Sequence, residues 1–283
     1  MTASIAPAVR APKPHVAADY KSDIKPIWCP GCGDYSVLTS LTMALAELTL
    51  PPEQVAVVSG IGCSSRIPAY VNTYGFHGLH GRALPVATGL KLSRPDLTVV
   101  VAGGDGDGFS IGGNHFLHAC RRNVDLTYLV MDNRVYGMTK GQPSPTTEPE
   151  WDSDLAPGGT GLRPFNPLVI ALAAGANLVA RCFSGDPAGT ARIIAEAIRS
   201  KGFSFVEILS PCVTFRPDER DWRKMVRPAP VTETNDAARA ARRLMTDDGF
   251  NLGILYRGER RAYQPRLVPA DGAAIALERE FAI

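Results

Sequence analysis

Two short apolar runs constrain this chain most. Residues 97–102 (Leu-Thr-Val-Val-Val-Ala) and 126–131 (Leu-Thr-Tyr-Leu-Val-Met) are nearly unbroken in apolar character, and each ends at a turn of glycine and side-chain oxygen. A half-exposed strand alternates apolar with polar; these do not, so they read as strands of a parallel sheet buried on both faces. The first opens into Gly104-Asp105-Gly106-Asp107 and the second into Asp132-Asn133-Arg134-Val135-Tyr136. Both turns then fall at the carboxyl ends of strands, where open α/β sheets bind ligands. A hard divalent cation takes oxygen ligands, and magnesium uses one or two from protein beside phosphate oxygens. The glycines flanking Asp105 let the backbone approach a diphosphate and aim N–H groups at it. The two turns together predict a magnesium–diphosphate site.

The rest of the chain alternates in the βαβ manner. Asp34 reads as the N-cap of a helix over 35–48, followed by a strand at 55–59. Residues 78–92 read as a loop entering a helix, and 111–122 as a helix between the two apolar runs. A helical stretch over 165–176, a strand at 178–181, a helix over 188–201 and a strand at 203–209 complete the pattern. The expected fold is α/β, a doubly wound, mostly parallel sheet. The Pro- and Gly-rich residues 140–165 read as a long loop of the kind that covers a cofactor. An amphipathic stretch at 237–245 and a strand at 252–256 lie in the tail.

At 283 residues the chain suits one large α/β domain with extensions. We divide it into a flexible N-terminal arm (1–25), the binding domain (26–225) and a C-terminal extension (226–283). A formal charge of +2 with 45% hydrophobic residues describes an ordinary soluble protein and points to neither nucleic-acid nor membrane partners. No apolar run approaches the roughly 20 residues that span a bilayer. The first 25 residues lack an apolar signal core, so a cytoplasmic protein is expected.

Six cysteines in such a chain argue for metal or redox use before disulfides. Cys29 and Cys32 stand in Trp28-Cys-Pro-Gly-Cys-Gly33, Cys63 in Gly60-Ile-Gly-Cys-Ser-Ser65, and Cys212 in Ser210-Pro-Cys-Val213. All four sit in loops beside Gly or Pro, where free backbone N–H groups can point at sulfur. Cys120 and Cys182 sit in apolar surroundings and read as small buried hydrophobes. A C-x₂-C pair with two distant partners suits zinc or an iron–sulfur cluster alike. A thioredoxin-type dithiol is the third option, although the residues before Cys29 are polar and broken by proline rather than a core strand.

The Gly-Asp-Gly turn with its downstream Asn133 resembles the thiamine diphosphate signature. That likeness implies magnesium held by the Asp105 carboxylate, the Asn133 amide oxygen and the Val135 carbonyl. Six motifs in order are similar to those of one family: Trp28-Cys-Pro-Gly-Cys-Gly33, Gly60-Ile-Gly-Cys-Ser64, His80-Gly-Arg-Ala83, Gly104-Asp-Gly-Asp107, the run from Asp132 to Gln142, and Ser210-Pro-Cys212. They resemble the β subunit of the 2-oxoacid:ferredoxin oxidoreductases, in the 2-oxoglutarate (KorB-like) branch, over residues 22–225. The resemblance implies one [4Fe–4S] cluster on Cys29, Cys32, Cys63 and Cys212. It also implies coenzyme A-dependent oxidative decarboxylation of a 2-oxoacid, 2-oxoglutarate foremost, and the reverse reaction, with ferredoxin as electron carrier. The motifs account for one diphosphate-binding domain, so a pyrimidine-binding domain is expected on a partner α subunit.

Single residues carry further expectations. Arg66, three residues after Cys63, could clamp a substrate carboxylate by a bidentate pair, against the plainer reading of a surface arginine. Ser64 and His80 are expected at the cofactor; His77 and Arg82 crowd the same loop as His80. Gly104, Gly106 and the Thr139 hydroxyl are expected at the diphosphate, and Asp107 would extend that network or serve the turn. Residues 216–227 read as a charged, solvated face. Two rivals remain on the residues alone: a non-redox thiamine-dependent decarboxylase subunit with structural zinc, and a thiol-redox module without thiamine.

Overall fold

The computed structural model describes residues 15–230 and 233–264. After a 3₁₀ turn at Ala17–Tyr20, the chain forms α1 (Asp34–Glu47), β1 (Val55–Ser59), a helical turn α2 (Ile67–Tyr70), β2 (Tyr74–His77) and α3 (Ala83–Ser93). Then come β3 (Thr98–Gly104), α4 (Gly113–Arg122) and β4 (Leu126–Asp132), and a small ribbon of β5 (Val135–Tyr136) and β6 (Gln142–Pro143). The chain continues through α5 (Pro167–Ala174), β7 (Leu178–Phe183), α6 (Pro187–Arg199) and β8 (Phe203–Leu209). It closes with α7 (Trp222–Met225), β9 (Arg227–Pro228), α8 (Ala237–Met245) and β10 (Asn251–Arg257).

Eight strands form one sheet in the order β2-β1-β3-β4-β8-β7-β10-β9. Every pairing from β2 to β7 is parallel, and β10 runs antiparallel to β7. The expected doubly wound sheet is present. β4 and β8 are buried along their whole length, which is why their sequences carry no solvent-facing alternation. Successive residues serve opposite faces: Val99 and Val101 pack with Phe116, Leu168 and Ala171, while Val100 and Ala102 pack with Leu41, Leu45 and Ile194. From β1 the chain leaves toward β2, and from β3 it leaves toward β4. The carboxyl ends of β1 and β3 therefore diverge at a topological switch point.

Several boundaries differ from expectation. Asp34 is the first residue of α1, with Gly33 as N-cap, because its carboxyl turns inward to Ser210 rather than to the helix N–H groups. α4 starts at Gly113; residues 107–111 form a wider π-type turn in which Gly112 N–H donates to Asp107 O. Residues 15–25, placed in the arm, are tied to the domain: Tyr20 is fully buried and its hydroxyl donates to the carbonyls of Leu45 and Leu50. Residues 1–14 lie outside the described residues. The extension after residue 226 adds β10 to the sheet, and Asp247 pairs with the buried Arg181 of β7, which also bonds Glu207 of β8. The stretch 216–227 is solvated at Asp218, Arg220, Asp221, Arg223, Lys224 and Arg227, as expected, but Arg216 and Trp222 are buried, and Glu219 is fully so.

Candidate functional site

Asp105 directly follows β3 and Asn133 directly follows β4, and these neighbouring strands pair Gly104 with Met131. The two oxygen-bearing turns thus open side by side. Between them and the turn after β1 lies a crevice of about 140 Å³, lined by Asp34, Cys63, Ser64, His80, Gly104, Asp105, Gly106, Asp107, Asn133, Val135, Tyr136 and Thr139 among others. Every residue expected at the cofactor lines it.

Two glycines are required there by close approach. A Cβ on Gly106 would sit 2.2 Å from the Tyr136 ring, whose hydroxyl donates to Gly106 O. A Cβ on Gly60 would sit 2.0 Å from Asp107 Oδ2. Asp107 braces three segments: its Oδ1 accepts from the N–H groups of Ile61 and Gly81 and meets His80 Nδ1 at 2.5 Å. Its Oδ2 is buried without a partner among the described residues. Thr139 is exposed at the crevice mouth, with its hydroxyl on Gln142 Oε1.

Asp105 and Asp132 are each 2% exposed, and neither faces a basic side chain in an ion pair among the described residues. Burial pushes the Asp105 carboxyl up; burial, then the neighbouring Asp105 charge, holds Asp132 well above the usual carboxylate range. Asp105, buried without an ion-pair partner among the described residues, lines the crevice with Asn133 and Val135, and the carboxyl, amide and carbonyl oxygens of these three make a hard-oxygen set that suits magnesium. Asp105 Oδ2 is held by hydroxyls that the sequence reading missed, those of Ser144 and Thr146 in the long loop. A Ser-Pro-Thr-Thr run inside a proline-rich segment was the available signal.

The four cysteines lie on three loops that are bonded to one another. The Trp28 indole N–H donates to Cys63 O at 2.7 Å, and Gly33 N–H donates to Pro211 O at 3.2 Å. These bonds sew the Cys29–Cys32 arm to the Cys63 turn and to the Cys212 turn. None of the four forms a disulfide, and Cys120 and Cys182 are buried elsewhere in the core as expected. Burial, then Asp34, then Cys212 and Cys29 push the Cys63 thiol up to about 11, against the pull of Arg66. Burial, chiefly, also raises the Cys32 and Cys212 thiols, with other cysteines of the set adding to each. Cys32, Cys63 and Cys212 each feel others of the set, and four free thiols on loops bonded to one another suit a multi-sulfur metal group, which would hold them as thiolates. Among the described residues no three Asp, Glu, His or Cys side chains, the cysteines included, are gathered so as to hold a metal ion. Arg66 stands beside Cys63 and is absent from the crevice lining.

Glu219 accepts the Cys212 N–H at 2.8 Å, and burial pushes its carboxyl up to about 9. Asp34 links the two regions: it lines the crevice, accepts from the Ser210 hydroxyl at 3.0 Å and lies beside the Cys32 thiol. Burial pushes its carboxyl up to about 6.

Residues 60–208 match the family described as "Thiamine pyrophosphate enzyme, C-terminal TPP binding domain". The chain is 41% identical over 266 residues to 2-oxoacid:ferredoxin oxidoreductase 2, subunit beta, of Aeropyrum pernix, covering 88% of this chain and 86% of that one. It is 47% identical over 209 residues to 2-oxoglutarate oxidoreductase subunit KorB of Mycobacterium tuberculosis, covering 74% of this chain. That match spans just over half (56%) of the mycobacterial protein's length. The structure is similar to a 2-oxoglutarate:ferredoxin oxidoreductase from Magnetococcus marinus, solved with 2-oxoglutarate, coenzyme A and succinyl-CoA bound. The TM-score is 0.85 at 41% identity, over 95% of this chain and 92% of that one. With its diphosphate-type crevice and its cysteine arms, this chain belongs to the β subunits of the 2-oxoacid:ferredoxin oxidoreductases.

Proposed function

We propose that the chain is the cofactor-binding half of an enzyme that oxidatively decarboxylates 2-oxoglutarate, or a close 2-oxoacid, to its coenzyme A thioester, and runs the reverse reaction. In the forward direction the bond between the carboxylate carbon and the keto carbon breaks and carbon dioxide leaves. The keto carbon forms a bond to the sulfur of coenzyme A, whose thiol S–H bond breaks with release of its proton, and two electrons pass singly to ferredoxin. Thiamine diphosphate supplies the electron sink for the decarboxylation. Asp105, Asn133 and the Val135 carbonyl hold its magnesium, with Gly104, Gly106, Ser64, His80 and Thr139 around the cofactor. Cys29, Cys32, Cys63 and Cys212 hold one [4Fe–4S] cluster. Arg66, beside Cys63 and outside the crevice lining, offers a cation for the substrate carboxylate. An α subunit brings the pyrimidine-binding domain.

The observation that carries this reading is that Cys63 and the buried Asp105 line one crevice, with the Cys29–Cys32 arm bonded both to the Cys63 turn and to the Cys212 turn. An electron acceptor beside a decarboxylation site makes the reaction oxidative. The test is anaerobic purification together with the α subunit, then coenzyme A-dependent viologen reduction across several 2-oxoacids. Visible absorption that bleaches on reduction is expected. A colourless, zinc-loaded protein that releases carbon dioxide without reducing viologen would overturn the reading.

A further inference from the structure

The long loop after β6 contributes no residue to the crevice lining, yet it bonds the turns that form it. Ser144, Thr146 and Thr147 are all buried, and their hydroxyls converge on the two oxygen-bearing turns. The Ser144 hydroxyl donates to Asp105 Oδ2. Thr146 Oγ1 lies 2.9 Å from the same oxygen and 2.8 Å from Asp132 Oδ1. A hydroxyl has one proton to donate, so Thr146 serves one of the two carboxyl oxygens as donor and also spaces the two groups apart. Thr147 Oγ1 accepts the Ser144 N–H at 2.7 Å and donates to Arg134 O at 2.6 Å. The far end is fixed by Glu148, held between Arg134 and Arg216.

This strap therefore bonds the turn after β3 at Asp105 and the turn after β4 at Asp132 and Arg134. Both side-chain donors to Asp105 land on Oδ2, which leaves Oδ1 free of side-chain donors among the described residues. We propose that the Ser144 and Thr146 hydroxyls are positioning groups for the cation: they set the rotation of Asp105 and its separation from the turn carrying Asn133 and Val135. The inference rests on the magnesium–diphosphate reading of the crevice. Magnesium demands near-ideal octahedral geometry, whereas calcium tolerates displaced ligands. A positioning role is thus distinguishable from mere structural support.

The experiment is calorimetric titration of the full chain with thiamine diphosphate in magnesium and, separately, in calcium. Thr146→Val keeps the side chain's shape and removes its hydroxyl. It is expected to weaken magnesium-supported binding by about tenfold, calcium-supported binding by clearly less, and Thr146→Ser to restore both. Equal losses with the two ions, or none, would overturn the proposal. Asp105→Ala separates the two levels. If it abolishes binding while Thr146→Val does not weaken it, the crevice reading stands and the strap's role falls. If Asp105→Ala binds normally, the crevice reading falls as well. Should Thr146→Val not fold, Ser144→Ala removes the other bond to the same oxygen, and wild-type ion selectivity in it counts against the proposal.

Discussion

Asp105 stands at the end of a strand buried on both faces, and its carboxylate is held by two hydroxyls. Cys29 hangs from an exposed turn, and its arm is tied to the other cysteine turns by two bonds, an indole N–H on Cys63 O and a backbone N–H on Pro211 O. The oxygen site is made by the register of adjacent strands, so it is formed as soon as the sheet is formed. The sulfur site is made by loops distant in the sequence, with thiols that burial keeps protonated until a metal claims them. Binding there releases protons and orders the loops, so folding and metal capture are coupled. One half of the chemistry is preformed, and the other is completed by its own ligand.

The strongest test of that contrast is Asp105→Ala. Removing the single buried carboxylate ligand should weaken magnesium–thiamine diphosphate binding at least about 100-fold, while iron and acid-labile sulfide content stays at the wild-type level. Calorimetry with iron analysis reads both. Loss of iron alongside the cofactor would mean that the two regions are one cooperative unit. The converse variant, Cys29→Ser, removes a ligand that is not part of the crevice lining. Its visible iron–sulfur absorption should fall to background, while cofactor affinity changes by no more than about twofold, as for independent sites. A large loss of cofactor affinity would break the contrast from the other side.

Glu219 probes the frame behind the cysteines. Its carboxyl moves from an ordinary 4.5 up to about 9 through burial, so the folded metal-free chain holds a proton that the unfolded chain has released. Stability therefore falls as pH rises across that window, at most by about 1.4 kcal/mol per pH unit. Glu219→Gln keeps the shape without the titration. Its melting temperature between pH 5 and 9, on approximate scale, should fall less steeply than the wild type's. An unchanged slope would mean that Glu219 is charged in the fold, leaving the sulfur site with a stronger electrostatic frame than the contrast allows.

What was legible in the sequence follows the same division. β3, β4 and β8 were readable because burial on both faces leaves an unbroken apolar record, and the oxygen turns were readable because they end those strands. The four cysteines were readable from their Gly and Pro neighbours, though only the fold brings their loops together. β2 was missed because Tyr74-Gly-Phe-His is exposed throughout and carries no burial pattern. The buried charges were missed for a different reason. Arg216 is neutralised by Glu148, 68 residues away, and a charged run looks solvated until its distant partners are known. Ser144 and Thr146 were read as loop because small hydroxyl residues beside proline are ordinary turn formers. Only the fold turns them onto Asp105.

Ser210→Ala tests the seam between the two regions and carries the smallest effect. The Ser210 hydroxyl donates to Asp34 Oδ1, and Asp34 faces both the crevice and the Cys32 thiol. Loss of that donor should cost about 1 kcal/mol. Burial lifts Asp34 from 3.8 up to about 6 while Ser210 opposes the rise. The native contribution of Asp34 therefore falls as pH climbs from the lower value through the upper one. Without Ser210 the charged carboxylate loses a donor, and the fall extends to higher pH. The variant and wild type should melt nearly together near pH 4, on approximate scale, and separate above about pH 6. A pH-independent difference would make Ser210 a packing residue. The seam would then carry no charge coupling, and the contrast between a preformed oxygen site and a ligand-completed sulfur site would be sharper still.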